Sequence, residues 1–246
     1  MTLRRSGIVL LAMLALTAAG SAAAASISPP SWVLHGRYSP TVDPANFVLR
    51  IDNRYFPLVP GTAFHYRGYS GSTAQTDDMV VTHGTKTILG VTCTVVRDTV
   101  SEHGKAVERT FDWYAQDKAG NVWYFGEATA ELNPDGSVKS TEGSWQSGVN
   151  GARAGIFMPA HPRPGQSGLQ EFYKGHAQDH FRVLSLTAHV HTPGASSNAA
   201  LLTMEWTPLE PGVVDHKLYI RGIGTALEQT VKGGDERNTL ISVRRR

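Results

Sequence analysis

From Thr62 onward the chain is interrupted every eight to twelve residues by a glycine, asparagine or aspartate, and this spacing restricts what it can fold into. The runs between the interruptions are too short for typical helices and rich in Val, Thr and aromatic residues. Ala63–Tyr69, Asp78–Thr82, Lys86–Leu89, Val91–Val100, Val107–Ala115 and Val122–Glu127 all read as strands. Glu102-His103-Gly104-Lys105 and Lys118-Ala119-Gly120-Asn121 read as the turns between them. Thr225–Val231 is the nearest approach to a helical run, and it fits a strand equally well. The expected class is all-β: two similar antiparallel units forming a curved, partly closed sheet or half-barrel.

The division into units rests on Ser147–Gly168, where Gly148, Gly151, Gly155, Pro159, Pro162, Pro164 and Gly165 break any pattern. Residues 147–168 therefore read as a crossover between a first β unit at 47–146 and a second at 169–246, within one compact domain. Short matches link the units. Val59-Pro60-Gly61-Thr62 answers Arg163-Pro164-Gly165-Gln166, and Ile88-Leu89-Gly90-Val91 answers Thr192-Pro193-Gly194-Ala195. Thr94–Asp98 answers Leu201–Glu205, and Trp113-Tyr114-Ala115 answers Leu218-Tyr219-Ile220. The offsets are 104, 104, 107 and 105, as a duplicated β unit would give.

Residues 1–25 have the form of a cleaved signal peptide. Arg4 and Arg5 precede an apolar run from Ile8 to Ala18, and Ser21–Ala25 supplies small residues for cleavage. The protein is thus expected to be secreted or periplasmic, in a bacterial envelope, with no transmembrane helix after cleavage. Residues 26–46 read as an extended arm. The chain has 23 Lys+Arg and 21 Asp+Glu, so loss of Arg4 and Arg5 leaves 21 of each. A neutral chain without a basic face does not fit a nucleic-acid partner. Cys93 is the one cysteine, which excludes an intrachain disulfide, and its apolar run marks it as a small buried hydrophobe.

Candidate sites begin with Phe111–Glu127, which packs aromatic and acidic side chains about a turn. Strict alternation puts Phe111, Trp113 and Ala115 on one face and Asp112, Tyr114 and Gln116 on the other. It likewise separates Val122, Tyr124 and Gly126 from Trp123, Phe125 and Glu127. A concave face bearing Trp113, Tyr114, Trp123 and Tyr124, with Arg97 and Glu108 beside them, would suit a small amphipathic or glycan ligand. The opposing reading is an aromatic core seam. Should the protein be an enzyme, Asp98, Asp112 and Glu127 on successive strands are the carboxylates to pair. His189 and His191 lie on one side of a strand, with His176 and His180 upstream, a set that would take Zn²⁺ or Cu²⁺ if it converged. No cofactor is otherwise predicted. No HExxH motif, Gly-x-Ser-x-Gly elbow or phosphate loop is present.

Three stretches carry a resemblance: Asp52–Leu58 (DNRYFPL), Phe111–Glu127 (FDWYAQD-x2-GNVWYFGE) and Trp206–Val214. Together they resemble an uncharacterised family of secreted bacterial proteins over nearly all of the mature chain. More loosely, Tyr219-x-x-Gly222-x-Gly224 resembles the last strands of periplasmic half-barrel carriers of lipids and lipoproteins. The expected function is binding or carriage of a small amphipathic or carbohydrate-like ligand. The alternatives are a secreted hydrolase or lyase using paired carboxylates or a histidine-bound metal, and a purely structural envelope protein.

Overall fold

The structure, a computed structural model, describes residues 38–245; the expected leader and the start of the 26–46 arm lie outside the described residues. In chain order its strands begin with β1 (Phe47–Val48), β2 (Thr62–Ser70), β3 (Thr73–Ile88), β4 (Val91–Glu102), β5 (Lys105–Asp117) and β6 (Val122–Leu132). Short pieces follow: β7 (Val138–Ser140), β8 (Trp145–Gln146), β9 (Arg153–Met158), β10 (Ser167–Leu169) and β11 (Glu171–Phe172). Long strands then resume with β12 (His180–His191), β13 (Ser196–Trp206), β14 (Val214–Ile220), β15 (Gly224–Lys232) and β16 (Arg237–Arg245). Among the described residues the sole helical element is one 3₁₀ turn, Pro44–Asn46, and no helix is long and apolar enough to cross a membrane.

All strand pairings are antiparallel, in the order β10-β12-β13-β14-β15-β16-β2-β3-β4-β5-β6-β9-β11. Two five-strand meanders, β2–β6 and β12–β16, are thus joined where β16 pairs with β2, Arg245 opposite Thr62. The sheet curls until it is nearly closed as a barrel with one seam, as the all-β expectation required. Its end strands, β10 and β11, are consecutive in the chain, separated by Gln170. One segment therefore supplies both sheet edges and crosses the seam between them.

Local chemistry explains most of the pattern. The turns Leu89-Gly90 and His103-Gly104 have positive φ at both residues, the geometry that matches strand twist in two-residue hairpins. Asp78–Thr82 and Lys86–Leu89, read separately above, belong to one long strand, β3, whose register shifts between Val81 and Thr85. The stretch 147–168 contains β9, which pairs with β6. The flanking Gly and Pro residues hid this strand from a composition-based reading.

The main core lies on the concave side and draws on strands all round the sheet, among them Phe64, Tyr66, Val81, Tyr114, Phe181 and Leu201. A second cluster, including Ile88, Cys93, Trp113 and Phe125, sits on the other face of β4–β6 and is packed by Val42 and Phe47. The DNRYFPL run has a structural task. The Asn53 side chain donates to the carbonyls of Gly120 (2.9 Å) and Pro159 (3.1 Å) and accepts from the backbone N–H of Tyr55 (2.9 Å) and Phe56 (3.2 Å). It pins this segment to the β5–β6 turn and to the end of β9.

Candidate functional site

The aromatic hairpin is packed on both faces. Tyr114 and Tyr124 point inward and stack at 4.8 Å, hemmed in by Phe56, Phe157 and Trp145. Trp113 is buried on the opposite face, with the Lys86 ammonium 3.3 Å above its ring. Trp123 donates through Nε1 to Asp117 at 2.9 Å and meets the edge of Phe47. Arg97 is exposed, on the other face of β4 from buried Asp98, while Glu108 is buried. The four rings named from the sequence therefore divide between two cores: Trp113, Tyr114 and Tyr124 are buried and Trp123 is half-buried.

Strict alternation also fails here. Trp113 is registered with Gly126 and Tyr114 with Tyr124, so β6 bulges at Phe125. Gly126 has φ 130°, and a Cβ there would collide with the Trp145 carbonyl and come within 2.9 Å of the Gln146 Cα. The extra residue shifts the alternation by one, which lets Tyr124 and Glu127 belong to the same interior face.

That face gathers the acids. Asp112 is directly opposite Glu127, and Asp98 is diagonal to Asp112 across β4 and β5. Asp77, from β3, completes a quartet with these three, and Glu108 lies beside it. Burial holds the Asp77 carboxyl well above the usual range; the charge on Asp98 adds to this, and the Asn238 amide, donating at 3.0 Å, opposes it. Asp98 is raised by burial, and Asp112 by burial and then by the charges on Glu127 and Asp98. The Tyr124 hydroxyl donates to Asp112 Oδ1 at 2.7 Å. Glu108 is pushed up to about 9 by burial, then by Glu127 and Asp98. Glu108 Oε2 is buried without a hydrogen-bond partner, while the Asp77 and Asp98 carboxyls are within hydrogen-bonding reach of each other.

The second meander carries a contrasting group. Lys217, wholly buried, has its ammonium 3.0 Å from Glu205 Oε2 and 3.3 Å from Glu228 Oε1. Burial acts to lower its pKa, but the two carboxylates outweigh burial and hold it well above the usual lysine value. Glu205 also accepts from the hydroxyls of Thr203 (2.8 Å) and Tyr219 (3.1 Å). Burial pushes Glu228 up to about 8 against the pull of Lys217.

Of this group only Glu205 borders a surface cleft, of about 10 Å³, whose other lining residues are Asp179, Trp206, Thr207, Glu210, Val213 and Asp215. Asp179 lies at the seam, where its carbonyl accepts the Gln170 N–H at 2.8 Å. Its side chain is 6% exposed, and Oδ1 has no partner. Burial raises its pKa well above the carboxylate range, with Lys217 pulling it down and Glu205 and Glu127 pushing it up. Trp206 stacks on His180, centroids 5.2 Å apart. The space is that of about one water molecule, bordered by carboxyl groups and one indole. Trp206–Val214 stood out in the sequence for its resemblance alone; that Asp179 and Asp215 would join Trp206 there depends on pairings across β12–β14.

The four histidines do not meet. His189 and His191 bond through Nδ1 to Asn198 (3.1 Å) and Ser196 (2.6 Å) across the strand. His180 is at the other end of β12, roughly 35 Å from His191 at about 3.3 Å per residue, and His176 stacks on Tyr173. Among the described residues no three His, Cys, Asp or Glu side chains are grouped so as to hold a metal ion. Cys93 is buried, its thiol pushed up to about 12 by burial against the pull of Lys86.

No protein-family model matches the chain, and no curated protein matches it. Among solved structures it is similar to a Bacteroides fragilis protein described as exported with a YmcC-like fold, at 14% identity and TM-score 0.47, over 78% of this chain and 100% of that one. It is also similar to a protein described as a lipoprotein from Parabacteroides distasonis, at 9% identity and TM-score 0.43, over 78% and 99% of the two chains. At these TM-scores neither likeness bears on what this chain does.

Proposed function

We propose that this is an exported, non-catalytic binding protein that takes a small carbohydrate-like ligand in the Trp206 cleft. Export rests on the leader pattern of residues 1–25. The observation that carries the ligand reading is Asp179, a carboxyl lining a cleft beside an indole, with one buried oxygen that meets no donor. Such a carboxyl fixes the orientation of a hydroxyl or amine, and Trp206, stacked on His180, forms part of the wall beside it. The location differs from the one expected on the hairpin, because the rings of Trp113, Tyr114, Trp123 and Tyr124 are spent on packing. Asp98, Asp112 and Glu127 have no catalytic role in this reading; they are buried interior groups.

The test is calorimetric titration of the mature chain with glucose, glucosamine and short oligosaccharides. At least one should bind saturably, and Asp179→Asn should weaken it about tenfold, the scale of one lost buried hydrogen bond. No saturable binding across the panel, or equal affinity in the variant, refutes the proposal.

A further inference from the structure

Strand register turns the acids of the first meander inward and its arginines outward. On β3 to β6 the side chains of Asp77, Asp98, Glu108, Asp112 and Glu127 are buried. On the opposite, convex face of the same sheet, one row across the strands reads Arg244, Ala63, Val80, Arg97, Phe111, Ala128. In the neighbouring rows Arg109 stands opposite Thr99, and Arg67 lies between Thr239 and Thr76. Arg67, Arg97, Arg109 and Arg244 are exposed, and no ion pair or hydrogen bond engages their guanidinium groups among the described residues. Asp78, an acid within these rows, is taken by His65 at 2.8 Å. From β16 to β5 the four arginines span roughly 20 Å at the usual strand spacing. Phe111, 38% exposed, and Tyr69, 43% exposed, stand out among them.

The same segregation holds for the rest of the molecule. Eleven of the 21 Asp and Glu are buried, whereas Lys217 is the one buried residue among the 19 described Lys and Arg. The surface of the described residues therefore carries 18 basic groups against 10 acidic ones. The near-neutral composition conceals a cationic exterior. The expectation of a chain without a basic face fails on this point, because burial removes acids selectively.

We propose that this arginine face docks the protein on an anionic lipid surface. Free guanidinium groups pair with phosphate oxygens through two parallel hydrogen bonds, and four of them on one face are complementary in charge to an array of phosphate head groups. The exposed rings fit the same partner. Aromatic and apolar side chains settle in the interfacial layer of a bilayer, where basic neighbours hold them against anionic lipid.

A nucleic acid would also satisfy arginines. The bilayer is favoured because the face is the convex outside of a curled sheet, which a broad surface meets readily, and because an exported protein works among membranes; that second ground rests on the export reading. The face belongs to β16 and the first meander, whereas Trp206 and Asp215 of the cleft lie on β13 and β14. Docking on lipid and binding of a sugar are therefore separate properties.

The experiment sediments the mature chain with vesicles of phosphatidylglycerol and phosphatidylcholine in equal parts, and with vesicles of phosphatidylcholine alone. The protein should sediment with the first only. It should detach as salt rises from about 0.1 to 1 M, over which the screening length falls from about 10 to 3 Å. Arg97→Gln combined with Arg109→Gln should weaken binding about fivefold for each arginine, and adding Phe111→Ser should weaken it further. Lys118→Gln combined with Lys174→Gln makes the same charge change at exposed positions away from this face and should leave binding nearly unchanged. These side chains are exposed, so the variants should keep the wild-type urea midpoint. No sedimentation with anionic vesicles, equal sedimentation with both kinds, or equal weakening by the arginine and lysine pairs overturns the inference. Binding of duplex DNA with the same arginine dependence, without vesicle binding, overturns it in favour of nucleic acid. The export reading is tested apart, by N-terminal sequencing of the chain recovered from the cell envelope, and sugar binding at Asp179 by the calorimetry.

Discussion

Replacing Lys217 by Met tests the energetics of the interior most directly. Methionine has similar length and reach, so the cavity contribution is small. What changes is that Glu205 and Glu228 lose the ammonium 3.0 and 3.3 Å away. Breaking a buried pair from one side costs about 3–5 kcal/mol, because the remaining charge is left uncompensated. That is a large part of the roughly 5–15 kcal/mol available to a domain. The cost depends on pH in a fixed direction. Glu228 already sits at about 8 with Lys217 pulling it down, and without Lys217 it moves higher. A carboxyl raised in the folded state stabilises most below its unfolded pKa, and that stability is lost as pH rises toward the folded pKa. The loss in Lys217→Met should therefore be smallest near pH 5 and grow toward pH 8. Urea unfolding followed by tryptophan fluorescence at the two pH values measures it. Adding Glu228→Gln should recover part of the loss at pH 8. A loss under about 1 kcal/mol, or one unchanged between pH 5 and 8, would refute the assignment of Lys217 as the interior counter-charge.

Two further substitutions probe the frame. Gly155→Ala puts a methyl against the Gln170 backbone and within 2.5 Å of the Leu169 carbonyl oxygen; it should cost about 1–3 kcal/mol and speed amide exchange in β10 and β11 before the rest of the sheet. Asn53→Ala deletes four hydrogen bonds, with a loss of about 2–4 kcal/mol in urea unfolding and unchanged ligand binding at the Trp206 cleft.

The sheet was legible in the sequence because several turns are chemically explicit, as at His103-Gly104 and in Lys118–Asn121, whereas Leu89, read as the end of a strand, takes a positive φ in the turn Leu89-Gly90. The interior was not. Asp77 and Asp78 are adjacent, yet the first is buried and the second exposed, and only the register of β3 decides which is which. At Gly126 a single bulge reverses the alternation and carries Glu127 to the side of Tyr124. Lys217, in the run Val-Asp-His-Lys-Leu-Tyr, has the look of a surface lysine, since nothing local announces the two glutamates of neighbouring strands. Asp98, Asp112 and Glu127 were identifiable as acids on successive strands, but their setting among packed tyrosines was not. Asp179, the key to the cleft, owes its position to the seam, which arises from contacts distant in sequence.

The strand order also sets a timetable. The middle of the chain forms the two rims of the sheet, and its first and last long strands meet at the sheet's centre. A chain that emerges from its N-terminus presents β2 with one side bare until β16 arrives. For all that interval an unpaired strand edge is open to the wrong partner. The joining of the two meanders is thus the work of Arg237–Arg245, the last of the described strands to emerge.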